Sequence, residues 1–315
     1  MDFDQIVTRL RAGERVALCT LVRARGSTPQ ETGARMVVTQ AGEIVGTLGG
    51  GCVEAEVRRR ALELLLAGQS ALLTFRLDHD YGWDDGLICG GTMDVHVRSL
   101  LTSAEADEFA AIAHALAARQ PAEFRFPYVT DSGEQREYAE ALAPAPVLLI
   151  AGAGHVGQAL AALGAEVGFE ISVIDDRPDF VSRERFPRAK QLLAGDIETE
   201  LARFPIDAQT YIVIVTRGHK NDGRALGAVI RSSAKYLGLI GSKRKVLTIF
   251  KDLAAQGIPH ERLAAVNAPI GLDIGAVTPA EIALSIAAEL VAIRRGITPP
   301  NALRLPSHLL SAAHP

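Results

Sequence analysis

The sequence predicts an α/β protein: a C-terminal Rossmann-like doubly wound parallel sheet joined to an N-terminal α+β domain. Three observations predict it. From residue 147 onward, strand-length apolar runs alternate with helical patterns. The first run leads into Gly152-Ala153-Gly154-His155-Val156-Gly157, and the second ends in Asp175-Asp176, 23 residues after Gly152. Prolines gather between them and the first half, at Pro121, Pro127, Pro144 and Pro146, around the polar turn-forming stretch 131–137. That seam predicts domains over 1–120 and 147–315 with a linker over 121–146.

Taken in order, an opening helix is expected at 3–11 and strands at 15–22, 34–39, 43–47, 71–76 and 92–98. Helices are expected at 53–66 and 103–118, and Ala41-Gly42-Glu43 reads as a hairpin turn. In the second half, Val147-Leu148-Leu149-Ile150-Ala151 suits a buried parallel strand. Further strands are expected at 170–175, 190–194, 211–215 and 236–240, with helices at 155–167, 198–203, 221–233 and 242–256. Thr278-Pro279-Ala280-Glu281 has the N-cap, first-position proline and capping-box Glu of a last helix.

Composition narrows the function. With 48% apolar and 22% charged residues the chain is globular, which excludes a disordered one. A net charge of −4 argues against non-specific nucleic-acid binding. The longest helix-like apolar stretch, 282–293, contains Glu289 and is too short to span a membrane. The acidic start Met1-Asp2-Phe3-Asp4 is unlike the basic start of a secretory signal, so a cytoplasmic protein is expected. Three cysteines make no disulfide framework.

The glycine loop has backbone chemistry. Gly152 allows a tight turn, Gly154 lets a phosphate approach, and Gly157 lets the helix pack on the strand. The free N–H groups of the first helical turn attract an anion. His155, at the helix start, either faces the ligand or lies on the surface. Asp175 is expected to hydrogen-bond a ribose diol, which favours NAD-like over 2′-phosphorylated ligands. Arg217 and His219, in the stretch 216–222, and Lys243, in 241–245, follow the fourth and fifth strands. That edge of a parallel sheet binds ligands, so these residues are candidates to meet an anion. Asp222 reads as a helix N-cap.

The N-terminal half has cysteine loops. Gly49-Gly50-Gly51-Cys52-Val53-Glu54 runs into a helical pattern, where the helix dipole stabilises a thiolate. Cys89-Gly90-Gly91 also sets glycines beside sulfur, leaving room for a bulky ligand. Together Cys52 and Cys89 suggest a shared site that binds a metal, relays sulfur or forms a reversible disulfide. The alternative is that both are small buried turn residues. Cys19, in a plain apolar strand, is core. A zinc site is disfavoured because there is no CxxC; the stretch 78–85 offers His79 and acids for a hard metal, but reads better as a solvated acidic loop. Ser27 and Thr28 offer hydroxyls, and Arg35 offers a bidentate fork for phosphate.

Gly26-Ser27-Thr28-Pro29, Gly33-Ala34-Arg35-Met36, the run from Gly46 to Glu54 and Cys89-Gly90-Gly91 resemble the XdhC/CoxI family. The second half, with Gly152 to Gly157 and Pro269-Ile270-Gly271-Leu272-Asp273-Ile274-Gly275, resembles that family's Rossmann domain. The resemblance implies an accessory factor of xanthine dehydrogenase and related molybdenum hydroxylases rather than a metabolic enzyme. Such a factor binds molybdenum cofactor, assists exchange of an oxo for a sulfido ligand with sulfur from a cysteine desulfurase, and delivers the product to the apo-hydroxylase. A homodimer is implied as well. The roles of Cys52 and Cys89 do not come from the resemblance: a soft thiolate suits molybdenum or a persulfide. Two other readings remain open at this point. One is an NAD-dependent oxidoreductase using the Rossmann loop; the other is a sensor of redox state or nucleotide using Cys52 and Cys89.

Overall fold

The computed structural model describes residues 3–77, 90–130 and 132–299. Cys89 and the acidic loop 78–85 lie outside the described residues. The chain forms two compact units, 1–144 and 145–315.

The first unit contains α1 (Phe3–Arg11), β1 (Val16–Arg25), β2 (Arg35–Thr39), β3 (Ile44–Gly46), α2 (Gly51–Ala67), β4 (Ala71–Arg76), β5 (Thr92–Leu100) and α3 (Ala106–Ala117). Its sheet runs β3-β2-β1-β5-β4 and is antiparallel throughout. Central strand β1 is apolar on both sides, and the two-residue period of a strand divides it. Val16, Leu18 and Val22 join a core with Phe3, Ile6 and Leu10 of α1 and Phe109 of α3. Ala17, Cys19 and Leu21 join the other core with Val53, Val57, Ala61 and Leu65 of α2. Cys19 is fully buried, and burial pushes its thiol pKa well up. The β2–β3 turn is the expected hairpin, with Gly42 at φ +78°.

The expected linker is not a linker. Two strands there form an antiparallel pair, β6 (Ala122–Val129) and β7 (Gln135–Leu142). Phe124, Phe126 and Tyr138 are buried in the core beneath α1 and α3. Phe124 and Phe126 alternate at strand spacing, and Phe126 lies opposite Tyr138. Pro127 disguises the strand: among the described residues β6 has one strand neighbour, and such a strand tolerates a missing N–H.

The second unit contains β8 (Val147–Ala151), α4 (His155–Glu166), β9 (Glu170–Asp175), β10 (Ala189–Ala194), α5 (Ile197–Arg203), β11 (Thr210–Ile214), α6 (His219–Val229), β12 (Tyr236–Leu239), α7 (Lys243–Ala255), α8 (His260–Ala264) and α9 (Pro279–Arg294). The sheet is parallel, in the order β10-β9-β8-β11-β12. Residues of α4 and α9 pack on one face; those of α5, α6, α7 and α8 pack on the other. Strand order reverses between β8 and β11, so the crevice of a doubly wound sheet opens at their carboxyl ends. Helix α9 starts as expected, with Thr278 as N-cap, Pro279 first and Glu281 closing a capping box. Its Glu289 is buried and accepts hydrogen bonds from the Tyr236 hydroxyl and the Gly271 N–H. Among the described residues, no helix is long and apolar enough to cross a membrane.

Asp222 does not cap α6. Gly218 is the N-cap, and Asp222 is wholly buried inside the helix, accepting from Thr216 Oγ1 at 2.6 Å and pairing with Lys245. The helix starts earlier than expected because Gly218, at φ +84°, turns the chain before His219.

Truncating Phe124 to Ala should remove about 3–5 kcal/mol from the first unit. Urea unfolding measures this; a loss below about 1 kcal/mol would show that the hairpin is peripheral to the core.

Candidate functional site

The loop between β8 and α4 lies at the strand-order reversal, and its glycines have three different surroundings. At Gly152, with φ +123°, a methyl group would lie 2.4 Å from the Val215 carbonyl oxygen. The loop after β8 therefore touches the loop after β11. At Gly157 a methyl group would lie 2.0 Å from the Gly152 carbonyl oxygen, so only glycine lets α4 start this close. At Gly154 a methyl group would meet nothing within 4 Å beyond its own chain neighbours and helix backbone. Gly154 caps α4 in extended conformation at φ −70°. The N–H groups of the first turn lack intrahelical acceptors, so the open side of Gly154 is an approach for an anion. His155 is exposed at the first position of α4.

Asp175 corrects the ribose reading. It is 2% exposed. Its Oδ2 accepts from the Ala153 N–H at 2.6 Å and Arg177 Nη2 at 2.8 Å; its Oδ1 accepts from the Arg177 N–H at 3.0 Å and Nε at 2.7 Å. A carboxylate has about four acceptor positions, and this chain fills them itself. Burial opposes the charge, but the Arg177 side chain and the two backbone N–H groups outweigh it and hold the pKa down to about 2. The aspartate is a clamp on the glycine loop.

The same neighbourhood contains residues that the sequence reading missed. Arg177 stacks on the Phe180 ring at 3.7 Å, and Arg185 lies over that ring at 4.8 Å. Arg185 Nη2 donates to the Ala153 carbonyl at 3.0 Å. Arg177 had a sequence signal, two residues after the acid; Arg185, 33 residues beyond Gly152, had none. Arg217, His219 and Lys243 are exposed around the starts of α6 and α7. Lys245, also unforeseen, neutralises Asp222 behind them.

In the first unit three loops meet. A methyl group on Gly49, at φ +111°, would lie 2.6 Å from Pro29 Cβ. Gly91 would meet the Ser27 carbonyl oxygen at 2.2 Å, and Ser27 pairs with Gly90 in a β-bridge. The stretch 26–29 thus joins the glycines before Cys52 to those after Cys89. Gly50 and Gly51, at φ +77° and +66°, have open space where a side chain would be. Glu54 Oε2 accepts from Thr47 Oγ1 at 2.8 Å and from the N–H groups of Leu48 and Gly50, both at 3.0 Å. Burial opposes the Glu54 charge, yet these bonds hold its pKa below the usual carboxylate range. Cys52 is the second residue of α2 and half-buried, where the helix dipole favours a thiolate.

Arg35 is not presented as a phosphate fork. Its side chain is 9% exposed, paired with Glu140 and stacked over Phe3 and Phe124 at 5.3 and 4.9 Å. The β6–β7 hairpin supplies both Glu140 and Phe124, so its cation serves the core. Among the described residues, no cluster of three or more His, Cys, Asp or Glu is arranged to hold a metal ion.

These features define a class: an antiparallel α+β unit with a glycine–cysteine loop, followed by a Rossmann unit with an anion-type glycine loop. The chain belongs to the XdhC and CoxI family: that family's model matches residues 9–76, and the XdhC Rossmann domain matches 148–290. Three curated relatives align over 90–93% of the chain. The uncharacterized protein YqeB of Escherichia coli is 30% identical, and the chain spans only 46% of its length. A probable xanthine dehydrogenase subunit from Bacillus subtilis is 26% identical over 94% of its length. The molybdenum cofactor insertion chaperone PaoD of E. coli is 26% identical over 86% of its length. A crystal structure described as a xanthine dehydrogenase from Bacillus halodurans shares the fold, with a TM-score of 0.82 at 23% identity, over 98% of this chain and all of that one.

Two outcomes follow from the glycine loop and its clamp. Gly157→Ala should destabilise the second unit by about 1–3 kcal/mol or more in urea unfolding, whereas Gly154→Ala should cost under about 1 kcal/mol. Equal costs would remove the distinction between the packing glycine and the open one. The Asp175 pKa is lower folded than unfolded, so its stabilisation is full above about pH 4 and is lost as the pH falls toward about 2. Asp175→Asn should flatten that acid limb in unfolding measured from about pH 2 to 5; an unchanged limb would refute the clamp.

Proposed function

We propose that this protein is an accessory factor that binds molybdenum cofactor, assists its sulfuration and delivers it to a molybdenum hydroxylase of the xanthine dehydrogenase type. The observation that carries the reading is the open, anion-type approach at Gly154, in a chain aligned over 91% of its length with a molybdenum cofactor insertion chaperone. The cofactor is cargo: a pterin with a phosphate and a dithiolene-bound metal. Its phosphate suits the N–H groups at the start of α4, with Gly152, Gly154, His155 and Gly157 forming the approach. Arg217 and Lys243 add positive charge, and His219 adds a ring nitrogen, at the carboxyl edge of the same sheet. Its metal suits a soft thiolate, and Cys52 sits where a thiolate is favoured, beside Gly50 and Gly51, which leave open the space that side chains would fill. Cys89, with Gly90 and Gly91, is the proposed second thiol of that loop cluster.

The expected partners are an apo-hydroxylase and a cysteine desulfurase that supplies sulfur, with the protein acting as a cytoplasmic homodimer. The rival NAD-dependent oxidoreductase loses its main support, because the acid expected to bind the ribose is occupied by the chain's own donors.

The test is metal and pterin analysis of the protein purified without oxygen after co-expression with the cofactor pathway. Molybdenum and pterin should co-purify in equal amounts. Cys52→Ser should keep the fold and lose transfer of the sulfido ligand, read as unrestored xanthine dehydrogenase activity. NAD in place of molybdenum and pterin would overturn the proposal.

A further inference from the structure

We infer that the Rossmann loop of this chain selects its ligand through phosphate oxygens, with Arg185 as a phosphate-binding side chain, and not through a ribose diol. The inference deepens the reading of this loop as the seat of the cofactor's phosphate. It starts from charge. Asp175 is neutralised by Arg177, and its acceptor positions are filled. The residue that would accept a sugar hydroxyl in a dinucleotide site therefore offers nothing to one.

Arg185 is the opposite case. Its Nη2 is tied to the Ala153 carbonyl inside the loop, so the guanidinium is held beside Gly152 and Gly154. The Phe180 ring, flanked by Arg177 at 3.7 Å, lies under it at 4.8 Å and fixes its plane. Its Nε is buried with no hydrogen-bond partner, and among the described residues no carboxylate pairs with it. A buried N–H on a permanent cation without an acceptor is a costly arrangement. It stands next to a helix start whose own N–H groups lack acceptors and whose capping glycine is open. One tetrahedral anion satisfies both sets of donors, and a guanidinium fork matches its oxygens.

Phosphate esters of a nucleotide and of a pterin share this chemistry, and the probes separate them. The full chain is titrated by calorimetry at low salt with inorganic pyrophosphate, then with ADP and 2′-deoxy-ADP. Pyrophosphate should bind the wild type, Arg185→Gln should weaken it at least about tenfold, and Arg185→Lys should recover part of the loss. ADP and 2′-deoxy-ADP should bind within about twofold of each other. Unliganded melting of Arg185→Gln shows whether it folds; if it does not, Arg185→Lys and the ADP pair on the wild type decide. Absent pyrophosphate binding, binding unaffected by Arg185→Gln, or a preference for ADP of about tenfold or more would each overturn the inference. Arg185-dependent pyrophosphate binding in a chain that co-purifies with no molybdenum or pterin supports the phosphate site and overturns the carrier reading alone.

Discussion

One buried carboxylate gives the Rossmann loop its shape. Asp175 projects from the end of β9 and grips the Ala153 N–H, while its other bonds hold Arg177 in place. From there the arrangement spreads outward: Arg177 supports the Phe180 ring, that ring supports Arg185, and Arg185 returns to the Ala153 carbonyl. Ala153 is thus held at both its N–H and its carbonyl. A charge this deeply buried is tolerable only because four donors replace its water. The same saturation that makes it a good clamp removes it as a ligand contact.

The first unit repeats the device with different parts. Glu54, in the first turn of α2, folds back onto Thr47, Leu48 and Gly50 and holds the glycine run that precedes Cys52. In both units a carboxylate absorbs backbone donors of a glycine loop at a helix start. What is left over differs. In the second unit the remainder is the N–H groups of a helix start and a guanidinium tied to the same loop, hard donors suited to phosphate. In the first it is a thiol near the dipole of a helix, suited to a soft centre.

The Rossmann unit was legible because parallel strands and glycine fingerprints depend on local spacing. Strand runs, helix starts and the separate duties of Gly152, Gly154 and Gly157 can all be read from a few neighbouring residues. The errors arose where the deciding partner is distant in sequence. Asp175 looks like a ribose ligand until Ala153, 22 residues earlier, is seen to occupy it. Arg35 looks like a phosphate fork until Glu140, 105 residues later, pairs with it. Asp222 reads as a cap because acids start helices, yet its partner Lys245 lies in the next helix. The hairpin at 122–142 was hidden by Pro127 and its neighbouring prolines, although Phe124, Phe126 and Tyr138 keep a strand's alternation. Arg185 was invisible because no local pattern marks a side chain that reaches a loop 32 residues away.

The position of α9 has a consequence for how the chain is made. Its residues Ala283, Ile286, Ala287 and Leu290 share a core with Leu160 of α4 and with Leu148, Ile150, Val173 and Tyr211 of the sheet. Glu289 also completes the bonding of Tyr236 and Gly271. On the ribosome, every strand of the parallel sheet is therefore polymerised before half of one face can be covered. More than 110 residues separate the end of α4 from the start of α9. At translation speeds this is a delay of on the order of ten seconds. For that interval the nascent chain presents a greasy, half-roofed sheet, and a holding chaperone has its best opportunity to engage it then.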